Sequence, residues 1–144
     1  MPANANPQPA MRDLTDLRAA ARAARAGAYA RYSHFTVGAA VETADGRRFT
    51  GANVENASYG LTICAERTAV FAAVLAGARS IAAVAVWGPD GATTSPCGAC
   101  RQVLAEFGAP DVPLTYARAD GGWTDTTLGA LLPAAFDGGT LGAG

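Results

Sequence analysis

The placement of the three cysteines constrains this sequence more than any other feature. Cys97 and Cys100 have the spacing that lets two thiolates from one helix start bind a single metal ion. Cys64 lies at the start of another predicted helix, so two helix N-termini would point their partial positive charge at one place. The first ten residues lack the pattern of a signal peptide, so we expect a cytoplasmic protein in which disulfides are disfavoured. The odd number of cysteines therefore favours a metal site.

Three protein ligands without an evident fourth are typical of a catalytic zinc, whose open position holds water. His34 is the only histidine and lies 30 residues before Cys64, so we favour a surface or hydrogen-bonded histidine there. If His34 or a carboxylate completed the coordination, the zinc would be structural and the chain a non-catalytic module. That alternative remains open at this stage.

Glu66 favours the catalytic interpretation. It lies two positions after a ligand at a helix start, so its carboxylate can lie beside a metal-bound water without binding the metal. Zinc lowers the pKa of such a water to about 7 in favourable sites. A neighbouring carboxylate can take this proton and later return it to a leaving group. A zinc ligand two positions before glutamate, followed by Pro-Cys-x-x-Cys, resembles the pattern of the zinc deaminases, although the first ligand here is cysteine rather than histidine.

Arg67 answers an electrostatic difficulty of this site. Three thiolates carry more negative charge than Zn²⁺ carries positive charge, which makes a bound water a poorer acid. Groups around the ligands must therefore withdraw charge from the sulfurs. We expect Arg67 to do so by donating hydrogen bonds to one or two of the thiolates.

Composition excludes other classes of protein. Eleven arginines nearly balance twelve acidic residues, and the formal net charge is −1. No basic run is present that could neutralise a polyphosphate backbone, so we expect no nucleic-acid partner. No apolar stretch reaches the roughly 20 residues that cross a bilayer, so we expect no membrane partner.

The hydrophobic pattern predicts four helices and four strands along the chain. In order, these are a helix at 12–28, a half-buried strand at 35–43, a paired strand at 48–54, a helix at 64–76, a buried strand at 81–87, a helix at 98–107, a strand at 112–117 and a short helix after Thr126 or Thr127. The inward face of the first helix would carry Leu14, Leu17 and Ala21, and its arginines form either a solvated flank or a subunit contact. We expect a disordered tail at 1–10, one domain at 11–136 and a loose Gly-rich tail at 137–144.

The sequence from about 32 to 136 resembles the small, homotetrameric zinc-dependent cytidine deaminases. The segments that carry the resemblance are Tyr-Ser-His-Phe-Thr-Val-Gly from position 32, Gly-Ala-Asn-Val-Glu-Asn-Ala-Ser-Tyr from 51, Cys-Ala-Glu-Arg from 64, Pro-Cys-Gly-Ala-Cys from 96 and Leu-Leu-Pro-Ala-Ala-Phe from 131. The resemblance implies an α/β fold, a three-layer α/β/α arrangement with a central mixed five-stranded sheet. It also implies one Zn²⁺ per subunit in a homotetramer.

The resemblance also implies the activity: hydrolytic deamination of cytidine and deoxycytidine. A zinc-bound hydroxide would attack C4 while Glu66 shuttles protons. Substrate-binding roles would fall on Asn53 and Glu55 for the ribose 3′-hydroxyl, Phe35 for the pyrimidine ring, the backbone N–H of Ala65 for the base, and Tyr59 and Phe136 from neighbouring subunits. The alternative enzyme is a deaminase of another aminopyrimidine nucleoside, such as a nucleoside antibiotic.

Overall fold

A five-stranded sheet forms the middle layer of the protein. The structure is a computed structural model and describes residues 12–143. The strands are β1 (Gly38–Thr43), β2 (Arg48–Ala52), β3 (Ile81–Trp87), β4 (Pro113–Ala117) and β5 (Trp123–Thr127). Their order in space is β2-β1-β3-β4-β5, in which β3 and β4 are parallel and the other neighbours antiparallel. The sheet is mixed, as expected.

Helices cover the sheet on both faces. They are α1 (Thr15–Ala24), α2 (Ala65–Leu75), α3 (Gly98–Phe107) and α4 (Leu128–Leu131), with single 3-10 turns at Arg25–Gly27, Tyr59–Leu61 and Gly138–Leu141. On one face, Leu17 and Ala21 of α1 pack against small side chains of β1 and β3. The other face carries larger side chains that form one buried cluster with α2 and α3, among them Val41, Val84, Val86, Leu104 and Leu114. This confirms the three-layer α/β/α arrangement.

The prediction for β1 was wrong in two respects. The strand begins at Gly38 rather than at Phe35, and it is buried on both faces rather than on one. Ala39 and Ala40 are adjacent and both fully buried, because α2 covers one face of β1 and α1 covers the other. A helix on each face removes the solvated side on which the alternating pattern depended.

Two glycines let the helices approach the β1–β2 hairpin closely. A Cβ atom at Gly38 would collide with the backbone of α1, and one at Gly51 would collide with Thr68 and the backbone of α2. The hydroxyl of Thr68 also donates to the backbone oxygen of Ala52, at 3.0 Å. The first turns of α2 are therefore held directly against β2, which fixes where this helix starts.

Several predicted boundaries are confirmed. The strand at 81–87 and the helix at 98–107 have the predicted limits, and Thr127 caps α4 by accepting from the N–H of Ala130. The turn at Asp45-Gly46 joins β1 to β2, with Gly46 at φ 88°. The pattern did not predict β5, which supplies the fifth strand. Its residues are mostly polar and only partly buried.

The first helix is shorter than predicted, ending at Ala24 before a 3-10 turn. Its arginines do not form a simple solvated flank. Arg18 donates to Asp125 at 2.5 Å, and the guanidinium of Arg22 lies 4.1 Å from the centroid of the Trp87 ring. These contacts tie α1 to β3 and β5 within one chain.

Both predicted tails lie at the limits of the described chain. The predicted N-terminal tail, 1–10, lies outside the described residues. Within the predicted loose tail at 137–144, the structure has the 3-10 turn Gly138–Leu141, in which Asp137 accepts from the N–H of Thr140. The domain limits at 11 and 136 remain predictions. No described helix has the length and apolar character needed to span a membrane.

Candidate metal centre and active site

The three cysteine sulfurs lie together where α2 and α3 begin. Cys64 and Cys97 are the N-cap residues of these helices, and Cys100 lies in the first turn of α3. All three are free thiols whose Sγ atoms lie within 4.8 Å of one another, and the Cys64 and Cys97 sulfurs are 3.9 Å apart. The fold therefore brings a cysteine 33 positions away beside the Cys-x-x-Cys pair.

Local contacts fix both helix starts. Before α2, Ile63 exchanges two backbone hydrogen bonds with Val54, at 2.9 and 3.0 Å, so Cys64 follows a short bridge to the chain after β2. Before α3, the side chain of Arg101 donates to the backbone oxygen of Pro96 at 2.7 Å. Each cysteine N-cap is thus preceded by a residue that is held in place.

The geometry of the sulfurs fits a zinc ion. Tetrahedral zinc with bonds of about 2.3 Å to sulfur keeps two sulfurs about 3.8 Å apart, close to the 3.9 Å between the sulfurs of Cys64 and Cys97. Among residues 12–143, the cluster of potential ligands consists of the three cysteines and does not include the exposed His34. Three thiolates leave one position of a tetrahedral centre to a non-protein ligand, as in catalytic zinc sites.

Glu66 is buried beside this cluster, in the first turn of α2, with 4% of its surface exposed. Burial raises the pKa of the Glu66 carboxyl to about 7, and the charge of Cys64 acts in the same direction. A carboxyl group that titrates near neutrality can both accept and donate a proton at physiological pH. This property matches the proton-shuttling role that the sequence predicted.

Arg67 provides positive charge to the sulfurs. Its guanidinium donates to the Sγ atom of Cys64 at 3.3 Å. Hydrogen bonds lower the pKa of Cys64 to about 5, the largest effect coming from Cys100 and a smaller one from Arg67. The same sharing of a proton with Cys64 raises the pKa of Cys100. The cluster thus favours a thiolate at Cys64, the form that binds metal.

Asn53 and Glu55, the expected sugar-binding residues, lie just after β2 and hold the segment before β1. The side-chain amide of Asn53 accepts from the N–H of Val37 at 2.9 Å and donates to the backbone oxygen of Phe35 at 2.7 Å. Glu55 accepts from the N–H groups of Tyr32 and Ser33 at 2.8 and 3.1 Å. Both side chains therefore shape the loop that carries Phe35.

Three aromatic side chains expected to contact substrate, Phe35, Tyr59 and Phe136, are here called the aromatic rim. They are 42%, 75% and 57% exposed, respectively. Tyr59 makes an edge contact with Tyr32, at 6.0 Å between ring centroids, and the backbone oxygen of Phe136 accepts from Gln102. The rim is therefore open to solvent in a single chain.

Ala65, by contrast, is fully buried as the first residue of α2. The first N–H groups of a helix have no acceptor within that helix. The backbone N–H of Ala65 is thus suited to an external acceptor, as expected for contact with a base.

Sequence reasoning missed some residues that shape the site. Ser33 links Glu55 to the Phe35 backbone, and Gly51 and Thr68 seat α2 on β2. Ser33 lies in the segment that carries the family resemblance, which was the only available signal. A groove of about 1070 Å³ lies elsewhere, at the opposite end of β3 and β4, and contains none of the predicted site residues.

Comparison with known proteins places this geometry in a family. Residues 11–116 match the family model described as the cytidine and deoxycytidylate deaminase zinc-binding region. This chain belongs to that family. Its members are zinc-dependent hydrolases, so the expectation of a zinc-dependent enzyme is confirmed, and the three cysteines are positioned to bind the metal ion.

Individual members of the deaminase family are similar in sequence to this chain along nearly their whole length. The chain is 47% identical over 124 residues to a cytidine deaminase of Sporosarcina psychrophila, covering 86% of this chain and 91% of the relative. It is 46% identical over 124 residues to a cytidine deaminase of Mycobacterium tuberculosis, covering 86% of this chain and 90% of the relative.

A solved structure confirms the deaminase fold. The crystal structure of cytidine deaminase from Burkholderia pseudomallei is 52% identical and superposes with a TM-score of 0.80, over 85% of this chain and 98% of the other. The mixed five-stranded sheet with helices on both faces is therefore the architecture of this family.

Proposed function

We propose that this chain catalyses the hydrolytic deamination of cytidine and deoxycytidine to uridine and deoxyuridine, releasing ammonia in pyrimidine salvage. The observation that carries the proposal is the meeting of three cysteine sulfurs beside the buried Glu66, in a member of the deaminase family. Relatives that are 46–50% identical are named cytidine deaminases.

Cys64, Cys97 and Cys100 would hold the Zn²⁺ ion, one in each subunit. When bound, zinc supplies Lewis acidity, which lowers the pKa of a water molecule and makes it a nucleophile at neutral pH. Arg67 would reduce the negative charge that the three thiolates place around it, because its guanidinium already donates to Cys64.

Glu66 would move the protons. Its carboxylate takes a proton from the attacking water as the oxygen bonds to C4 of cytosine, and it delivers that proton to N3. It then takes the second proton of the water and delivers it to the amino group, so that the C4–N bond breaks and ammonia leaves. The pKa of about 7 suits a group that must be both base and acid.

The nucleoside would be held by the chain around β2. Asn53 and Glu55 would bind the 3′-hydroxyl, Phe35 would pack on the pyrimidine, and the N–H of Ala65 would contact the base. An amide side chain has two donor hydrogens and two acceptor lone pairs. Asn53 uses one of each on the Phe35–Val37 backbone, which leaves one of each for a ligand.

The active unit would be a homotetramer in the cytoplasm. The exposure of Tyr59 and Phe136 supports this proposal, since each would be covered by contributing to a neighbouring subunit's site. The three free cysteines support a reducing compartment.

Purified protein incubated with cytidine tests the proposed function directly. We expect an ultraviolet absorbance loss that reports deamination, and abolition of that change by a chelator that removes zinc, with recovery when zinc is restored. Cytidine monophosphate and other aminopyrimidine nucleosides are run in parallel. Turnover of one of these without turnover of cytidine or deoxycytidine would favour the alternative substrate class, and no turnover of any would contradict the proposal.

A further inference from the structure

We infer that Ser33 is a positioning residue for nucleoside binding, because its hydroxyl joins the carboxylate of Glu55 to the backbone of Phe35. The inference rests on the proposed function, in which Glu55 and Phe35 contact opposite parts of one nucleoside. It assigns Ser33 the task of fixing the two contacts relative to each other.

The hydroxyl of Ser33 is used in both directions. It donates to one oxygen of Glu55 and accepts from the backbone N–H of Phe35 at 3.0 Å. The other oxygen of Glu55 accepts from the N–H groups of Tyr32 and Ser33. A serine hydroxyl has a single hydrogen, so donation to the carboxylate leaves its lone pairs to hold the Phe35 N–H.

These bonds hold a turn that the backbone resists. His34, between Ser33 and Phe35, has φ 59°, in the left-handed region. That conformation is disfavoured for a residue with a side chain, because Cβ comes too close to the following carbonyl oxygen. Three hydrogen bonds together hold the turn: from the Phe35 N–H to the Ser33 hydroxyl, from the His34 N–H to the backbone oxygen of Ala30, and from the Asn53 amide to the backbone oxygen of Phe35.

Backbone contacts connect this turn to the cysteine cluster. Glu55 follows Val54, which pairs with Ile63, and Ile63 precedes Cys64. The hydrogen bond from Ser33 is also the main cause that lowers the pKa of the Glu55 carboxyl below its ordinary value, which favours the ionised form that accepts these bonds. Loss of the Ser33 hydroxyl would therefore release both the Glu55 carboxylate and the Phe35 N–H at this edge of the site.

Steady-state kinetics on three variants tests the inference. In Ser33→Ala we expect the KM for cytidine to rise about tenfold, since a hydrogen bond to a charged group is lost, while kcat stays within about twofold. Ser33→Thr keeps the hydroxyl, so its KM should lie much closer to the wild-type value than that of Ser33→Ala. Ser80→Ala is the matched control, because Ser80 is exposed and precedes β3 at the end of the strand remote from Cys97.

The readouts separate positioning from a general structural role. Loss of folded protein lowers kcat per mole of chain at unchanged KM, and melting temperatures are recorded for every variant. A KM in Ser33→Ala within twofold of wild type, or an equal defect in Ser33→Thr, would overturn the inference while leaving the proposed function intact. Absence of cytidine turnover in the wild-type protein would instead contradict the proposed function, and this inference with it.

Discussion

The first turn of α2 and the aromatic rim differ in how deeply a single chain buries their side chains. Glu66 is 4% exposed and has the sulfurs of Cys64 and Cys100 beside it, whereas Tyr59 and Phe136 of the rim are 75% and 57% exposed. The carboxyl group that would move the protons is thus buried within its own chain, whereas the aromatic side chains that would cover the nucleoside are exposed.

This difference follows from what each region must do. A proton-shuttling carboxyl needs burial, because desolvation is what moves its pKa toward neutrality. Aromatic side chains that cover a ligand must leave it a route in from solvent. Exposed aromatic surface is also typical of sites that another molecule covers. We therefore expect changes in the enclosed region to act on kcat and changes in the rim to act on KM.

Glu66→Gln should have the largest effect. The amide keeps the shape of the side chain but cannot take up a proton, so we expect kcat to fall about 1000-fold while zinc and fold are retained. Burial raises the pKa of Glu66, so ionising this carboxyl costs folding stability once the pH rises above the ordinary carboxyl pKa. Glutamine at the same position does not ionise and lacks that cost. The measurements are kcat, zinc content and melting temperature at pH 8.

The control for Glu66→Gln is Glu106→Gln, which makes the same change on the exposed side of α3 and should leave kcat unaltered. Turnover by Glu66→Gln within tenfold of wild type, with zinc bound, would remove Glu66 from the proton path. The enclosed region would then lose its proposed chemical role.

Arg67→Ala should have a smaller effect on the same region. Without the guanidinium that donates to Cys64, the thiolates keep more charge, and we expect kcat/KM at neutral pH to fall about tenfold while zinc remains bound. Arg67→Lys keeps the charge and should lose less. A melting temperature that falls while kcat/KM is unchanged would show that Arg67 supports the fold rather than the metal centre.

Most of the fold was predictable where burial follows the local sequence. The continuous apolar run Ile81–Trp87 gave the correct limits of β3, and Cys97 before Gly98–Phe107 gave the start of α3. Errors arose where distant packing decides. Small residues let β1 be covered on both faces, and β5 forms from a polar segment because β4 pairs with it along its length.

The candidate site divides in the same way. The spacing of Cys64, Glu66 and the Cys-x-x-Cys pair predicted a cluster that the structure assembles. No spacing rule could predict that the carboxylate of Glu55 and the hydroxyl of Ser33, 22 positions apart, would meet. That contact depends on how the chain after β2 runs beside the loop before β1, which only the folded chain determines.

Tyr59→Ala should have the smallest effect and tests the rim. Loss of one aromatic contact is worth about 1 kcal/mol, so we expect the KM for cytidine to rise about fivefold with kcat unchanged. Leu75→Ala, which removes a side chain that is 90% exposed at the far end of α2, is the control. If Tyr59 serves a neighbouring subunit, wild-type activity per chain should fall on dilution as light scattering reports dissociation. If Tyr59 acts only through its edge contact with Tyr32 in its own chain, dilution should leave the wild-type activity per chain unchanged, which would contradict a role for Tyr59 in a neighbouring subunit.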